Sequence, residues 1–65
     1  MEIFINGQSH DVDEGLDVLA LLDRLHLTGR LAVEINHEVI PRSQFDTRQL
    51  HASDRVEIVH AIGGG

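Results

Sequence analysis

One segment of this chain has the spacing of an α-helix, and its other apolar segments alternate as β-strands do. The apolar residues at helical spacing are Val18, Leu21, Leu22 and Leu25. Asp17 can cap the first turn of this helix, and Gly29 predicts where the helix ends. A chain with one short amphipathic helix must bury its apolar face against a sheet, so the sequence predicts a sheet covered by one helix.

The segment before the helix predicts a β-hairpin. From Met1 to Asn6, apolar residues alternate, and Met1, Ile3 and Ile5 are expected to face the core. Asn6-Gly7 is a strong signal for a two-residue hairpin turn, and the polar segment that follows supplies the second strand.

The segment after the helix predicts two further strands and a final one. Residues 31–35 alternate with Leu31, Val33 and Ile35 inward, and Val39-Ile40 forms a short strand that Pro41 ends. Residues 42–52 are expected to form a loop with a helical turn, which Phe45 and Leu50 attach to the core. The last strand is predicted over residues 55–62, with Val56, Ile58 and His60 inward.

This order predicts an α+β fold of the β-grasp type, a mixed sheet of four to five strands with one helix packed across one face. The first and last strands would then be central neighbours that pair in parallel, because a long crossover connects them. We expect residues 1–65 to form a single domain with a flexible glycine tail at 63–65.

Composition limits the classes of function. A 65-residue chain buries only a modest core, which disfavours a deep active site. The net charge of -6, with five arginines and no lysine, disfavours nucleic-acid binding and favours a basic protein partner. The chain has no cysteine and therefore carries no persulfide or thiolate of its own.

The glycine tail is the candidate reactive group. Gly63, Gly64 and Gly65 follow an apolar strand directly, so a terminal carboxylate would be held near a rigid body and could enter a narrow channel. If the strand faces are as predicted, the residues pointing away from the helix form an apolar strip that leads to the tail. The docking residues that we predict are Phe4, Val59, Ala61 and Ile62.

The five histidines do not predict a metal site. They fall in different elements, without the paired spacing of metal ligands. The acidic segment that includes Asp11, Asp13 and Glu14 lacks the glycine and glutamate positions of a calcium loop. We therefore expect no bound metal or cofactor.

The amino terminus has neither a cationic segment nor a long apolar run, which predicts no signal peptide or membrane span. The expected compartment is the cytoplasm, and the expected free form is a monomer.

The whole chain resembles the ThiS family, the sulfur carrier proteins of thiamine (thiazole) biosynthesis, which are β-grasp relatives of ubiquitin. The segments that carry the resemblance are Asn6-Gly7, Gly15, residues 32–36, residues 39–42 and residues 54–65 with their terminal Gly64-Gly65. The resemblance implies a protein cosubstrate rather than an enzyme. A ThiF-like enzyme would use ATP to adenylate the Gly65 carboxylate. Sulfur from a persulfide donor would convert it to a thiocarboxylate, and a ThiG-like thiazole synthase would accept the sulfur.

Three alternatives have the same fold. The small subunit of molybdopterin synthase, which is MoaD-like, shares the tail chemistry but docks permanently into a larger subunit. A ubiquitin-like modifier would be joined through its terminal glycine to lysines of its targets. A β-grasp interaction module would have an inert tail.

Overall fold

The computed structural model describes residues 1–61 and contains strands, one α-helix and one 3₁₀ helix. In chain order they are β1 (Glu2–Ile5), β2 (Gln8–Asp11), α1 (Val18–Arg24), β3 (Leu31–Ile35), β4 (Glu38–Ile40), the 3₁₀ helix Arg42–Gln44 and β5 (Arg55–His60). Within these residues no helix is long or apolar enough to cross a lipid bilayer.

The five strands form one mixed sheet in the order β2-β1-β5-β3-β4. β1 and β5 pair in parallel at the centre, whereas the β1–β2, β3–β4 and β3–β5 pairs are antiparallel. The predicted β-grasp topology, with the first and last strands as central neighbours, is confirmed.

The core lies between one face of the sheet and α1. Its buried residues are Ile3, Ile5, Val18, Leu21, Leu22, Leu31, Val33, Ile35, Ile40, Phe45, Leu50, Val56 and Ile58. Phe45 and Leu50 belong to the long connection before β5, which they attach to the core as predicted. Met1, predicted to face inward, is half-buried and packs against the edge of this cluster.

Two expectations about β5 need correction. The strand ends at His60 rather than at residue 62, and His60 is exposed although the alternation predicts it inward. The buried core on β5 stops at Ile58, and His60 stays exposed although the core residue Leu31 lies directly opposite it on β3.

The helix begins as predicted but ends earlier. The Asp17 side chain accepts a 2.7 Å hydrogen bond from the Ala20 amide, which caps the first turn. The predicted end at Gly29 is wrong, because α1 already ends at Arg24. His26 adopts a left-handed backbone with φ 56, and its amide donates to the Asp23 carbonyl.

The amide of Leu27 donates in turn to the Leu22 carbonyl, and these two bonds form a Schellman motif. Glycine usually occupies the left-handed position of this motif, whereas histidine occupies it here. The motif thus satisfies the last helical carbonyls without a glycine. The nearest glycine, Gly29, lies three residues after His26 and has a left-handed backbone of its own, with φ 92.

His26→Gly should therefore stabilise the protein by about 0.5–1 kcal/mol, because glycine adopts the left-handed conformation without the Cβ clash. Denaturant unfolding measures the change. His26→Ala is the matched control, since it removes the imidazole and keeps the clash. Equal stability of the glycine and alanine variants would contradict this account of the helix end.

Candidate functional site

The chain leaves the sheet from its central strand. β5 pairs with β3 from Val56 to His60, and the Ala61 amide donates a further 2.9 Å hydrogen bond to the Arg30 carbonyl. The backbone is thus anchored up to the last described residue. The predicted tail residues Ile62, Gly63, Gly64 and Gly65 lie outside the described residues.

Asn6 anchors the other side of β5. β1 ends at Ile5, but the Asn6 side-chain amide donates to the Ile58 carbonyl at 3.1 Å and its oxygen accepts from the Ile58 amide at 2.9 Å. The side chain thus satisfies both main-chain groups of Ile58 that face β1, beyond the point where the strand itself has ended. The Asn6-Gly7 turn has φ 49 and φ 83, as a two-residue hairpin turn requires. Sequence reasoning identified the turn but missed the side-chain bridge.

A hydrogen-bonded network fixes the start of β5. The Asp54 carboxylate is buried, and it accepts hydrogen bonds from the His51 amide at 2.8 Å and from Asn36 Nδ2 at 3.0 Å. The Asn36 side-chain oxygen accepts a 3.0 Å bond from the Arg55 amide. The buried carboxylate is therefore satisfied by its neighbours and serves to join the β3–β4 hairpin to β5.

The sheet face opposite α1, here called the outer face, carries two of the predicted docking residues. Val59 is 58% exposed, and Phe4 is half-buried because the Arg55 guanidinium lies over its ring at 5.3 Å from the centroid. Ala61 is exposed beyond the end of the strand.

The apolar residues of the outer face do not form one continuous strip. Phe4 pairs with Arg55 at the start of β5, whereas Val59 lies four residues further along and pairs with Ala32 of β3. Glu57 occupies the outer-face position between Arg55 and Val59. The structure therefore brings Val59 towards the tail end of β5 and leaves Phe4 in a separate stack with Arg55.

The electrostatics of the outer face were not predicted. Glu57 of β5 lies directly opposite Glu34 of β3, and Val39 of β4 lies on the other side of Glu34. Glu57 is exposed and Glu34 is half-buried. Among the ion pairs of residues 1–61 none includes either carboxylate.

The other charged residues within residues 1–61 form no cluster suited to a metal ion. The part of the chain that the structure describes has no group of three histidine, aspartate or glutamate side chains that could hold an ion. The acidic segment before α1 is instead an exposed surface. There Arg24 donates a 2.7 Å hydrogen bond to Asp13 and holds the pKa of that carboxyl below its usual range.

A five-stranded mixed sheet with parallel central strands and one helix across it defines the ubiquitin-like β-grasp class. Within this class, the sequence model that describes the ThiS family matches residues 3–65 of the chain. The chain belongs to the ThiS family.

Solved structures and relatives agree with this assignment. The crystal structure of the thiamine biosynthesis protein ThiS from Geobacter metallireducens is 36% identical, with a TM-score of 0.88 and full coverage of both chains. A thiazole synthase of Paramagnetospirillum magneticum is 38% identical, and this chain spans only 20% of its length. The uncharacterised protein ycf40 of Porphyra purpurea is 35% identical over 93% of its length. A second thiazole synthase, from Magnetococcus marinus, is 36% identical and is again matched over 20% of its length.

Proposed function

We propose that this protein carries sulfur as a thiocarboxylate on Gly65, after adenylation by a ThiF-like enzyme, and delivers it to a ThiG-like thiazole synthase. The observation that supports this most is the anchoring of the chain up to Ala61, immediately before a glycine tail, in a member of the ThiS family. The protein is a cosubstrate in this scheme, and the partner enzymes supply the catalytic groups.

The chemistry needs only the terminal carboxylate of this chain. A carboxylate oxygen attacks the α-phosphorus of ATP and pyrophosphate leaves, which gives an acyl-adenylate with AMP as a good leaving group. The terminal sulfur of a persulfide donor then attacks the acyl carbon and AMP departs. A donor thiol cleaves the resulting acyl disulfide, so that a disulfide and the thiocarboxylate are the products. Residues 1–65 contain no cysteine, so the persulfide sulfur has to come from outside this domain.

The folded domain supplies position and binding energy. Four residues lead from Ala61 to the reacting Gly65, and an extended chain of that length spans at most about 14 Å, so in this scheme the adenylation centre lies within that distance of Ala61. Ordering the tail costs about 1–2 kcal/mol per residue, which contacts elsewhere must offset. Val59, exposed near the tail end of β5, is suited to that contact, and Phe4 is a second docking residue further along the outer face.

The proposed acceptor is supported by the two thiazole synthases among the relatives. Each contains a segment, one fifth of its length, that matches this entire chain. In those proteins a domain similar to this one is part of the same polypeptide as the rest of the thiazole synthase. We infer that a thiazole synthase is likewise the acceptor of sulfur from the domain formed by residues 1–65 of this protein.

The direct test is the intact mass of the protein after incubation with ATP, sulfide and a ThiF-like enzyme. We expect one oxygen atom to be replaced by sulfur, and fragmentation should locate the change at Gly65. The same mixture without ATP is the control and should leave the mass unchanged. An unchanged mass in the full mixture, with an enzyme shown to modify another carrier, would overturn the proposal.

A further inference from the structure

The outer face has a charge arrangement that the sheet does not neutralise. Directly opposed residues on antiparallel strands have Cβ atoms roughly 4.5–5.5 Å apart, and like charges in this position destabilise the pair. Glu34 and Glu57 are such a pair. Because these two strands lie next to each other in the interior of the sheet, neither carboxylate can move away by fraying of an edge strand.

The nearest cation on the same strand is stacked on an aromatic ring rather than ion-paired with either carboxylate. Arg55 is two residues before Glu57 and shares the outer face, but its guanidinium lies over the Phe4 ring at 5.3 Å from the centroid. No ion pair within 4.0 Å joins it to either carboxylate among the residues that the structure describes. The protein as a whole has a net charge of -6, which adds to the negative potential at this site.

Exposed apolar side chains flank the two carboxylates. Val39, 68% exposed, lies opposite Glu34 on β4, and Val59, 58% exposed, follows Glu57 on the same face of β5 beside Ala32. Apolar side chains beside charged ones are typical of protein interfaces, where the apolar contacts give affinity and the charges select the partner.

We propose that this part of the outer face docks on the adenylating enzyme and that Glu34 and Glu57 together receive an arginine or lysine side chain of that enzyme. The inference rests on the function proposed above. One cation placed between the two carboxylates removes their repulsion and gains two ion pairs, while Val39 and Val59 contact apolar surface around it. A second copy of this chain does not fit, because a symmetric contact through this face would bring the same carboxylates together.

The test compares binding with stability. Glu57→Gln and Glu34→Gln should each weaken binding to the ThiF-like enzyme by about five- to tenfold, and should reduce its dependence on salt concentration. The melting temperature should stay equal or rise, because each variant removes the repulsion. Glu57→Lys should weaken binding most and raise the melting temperature, since the new cation faces Glu34 across the strands.

Glu14→Gln is the matched control, because it removes one exposed carboxylate in the loop before α1. It should leave affinity within about twofold of the original protein. If the unaltered protein acquires its thiocarboxylate and the three outer-face variants bind as tightly as Glu14→Gln, this docking proposal is wrong. If the unaltered protein neither binds the enzyme nor acquires sulfur, the proposed function itself fails.

Discussion

Gly64→Val should lower the rate of thiocarboxylate formation by about 100-fold or more and leave the melting temperature unchanged. The proposed reaction brings the Gly65 carboxylate against the α-phosphate of ATP inside a partner enzyme. A β-branched side chain next to it restricts the backbone and widens the segment that must enter the channel. A hundredfold loss corresponds to about 2.7 kcal/mol in the activation free energy, the size expected of one steric clash near the reacting atoms.

The initial rate of sulfur incorporation, followed by intact mass, measures this effect. Ser43→Val is the matched control, because it places the same side chain on the exposed 3₁₀ helix, outside the sheet. Both variants should unfold at the temperature of the original protein. A rate for Gly64→Val equal to that of Ser43→Val would mean that the tail meets no narrow channel during adenylation.

The second large effect is on stability. Asn6→Ala should reduce the free energy of unfolding by about 2–3 kcal/mol, because it removes both hydrogen bonds to Ile58 and leaves alanine in a left-handed conformation. Denaturant unfolding gives the total change. Amide hydrogen exchange at Ile58 should accelerate more than exchange at Val33, which lies on the opposite side of β5 and keeps its partners.

Asn6→Gly separates the two causes. Glycine accepts the left-handed backbone, so this variant should lose only the hydrogen bonds, about 1–2 kcal/mol. The difference between the alanine and glycine variants then measures the backbone contribution. If Asn6→Gly is as stable as the original protein, the side-chain bridge to β5 contributes nothing to stability.

The periodicity of apolar residues was sufficient to predict most of the fold, because the spacing of apolar residues within a short segment indicates which side chains face the core. Residues 31–35 and the helix start at Asp17 are examples. The end of the helix was mispredicted, since Gly29 is the residue that usually takes a left-handed position and His26 takes it instead. No local sequence signal predicts that His26 takes this position, because the motif also depends on the hydrogen bond that the Leu27 amide donates to the Leu22 carbonyl.

The site was harder to predict because it depends on pairing between distant segments. Asn6 bridges to a residue 52 positions away, which no local signal indicates. The alternation of apolar residues was sufficient to predict that Phe4 and Val59 lie on the outer face. The distance between them along the sheet depends on the parallel register, which pairs Phe4 with Arg55. The opposition of Glu34 and Glu57 likewise follows only from the register of β3 against β5.

The central position of β5 has a consequence for the synthesis of the protein. The hairpins β1–β2 and β3–β4 each form from contiguous sequence, but in the sheet they are joined only through β5, the last strand in chain order. A nascent chain on the ribosome can therefore form two separate hairpins but cannot complete the sheet until residues 55–60 have emerged. An adenylating enzyme that recognises the outer face would thus bind only chains in which β5 has been synthesised and paired, and chains terminated before β5 would not compete for ATP or sulfur.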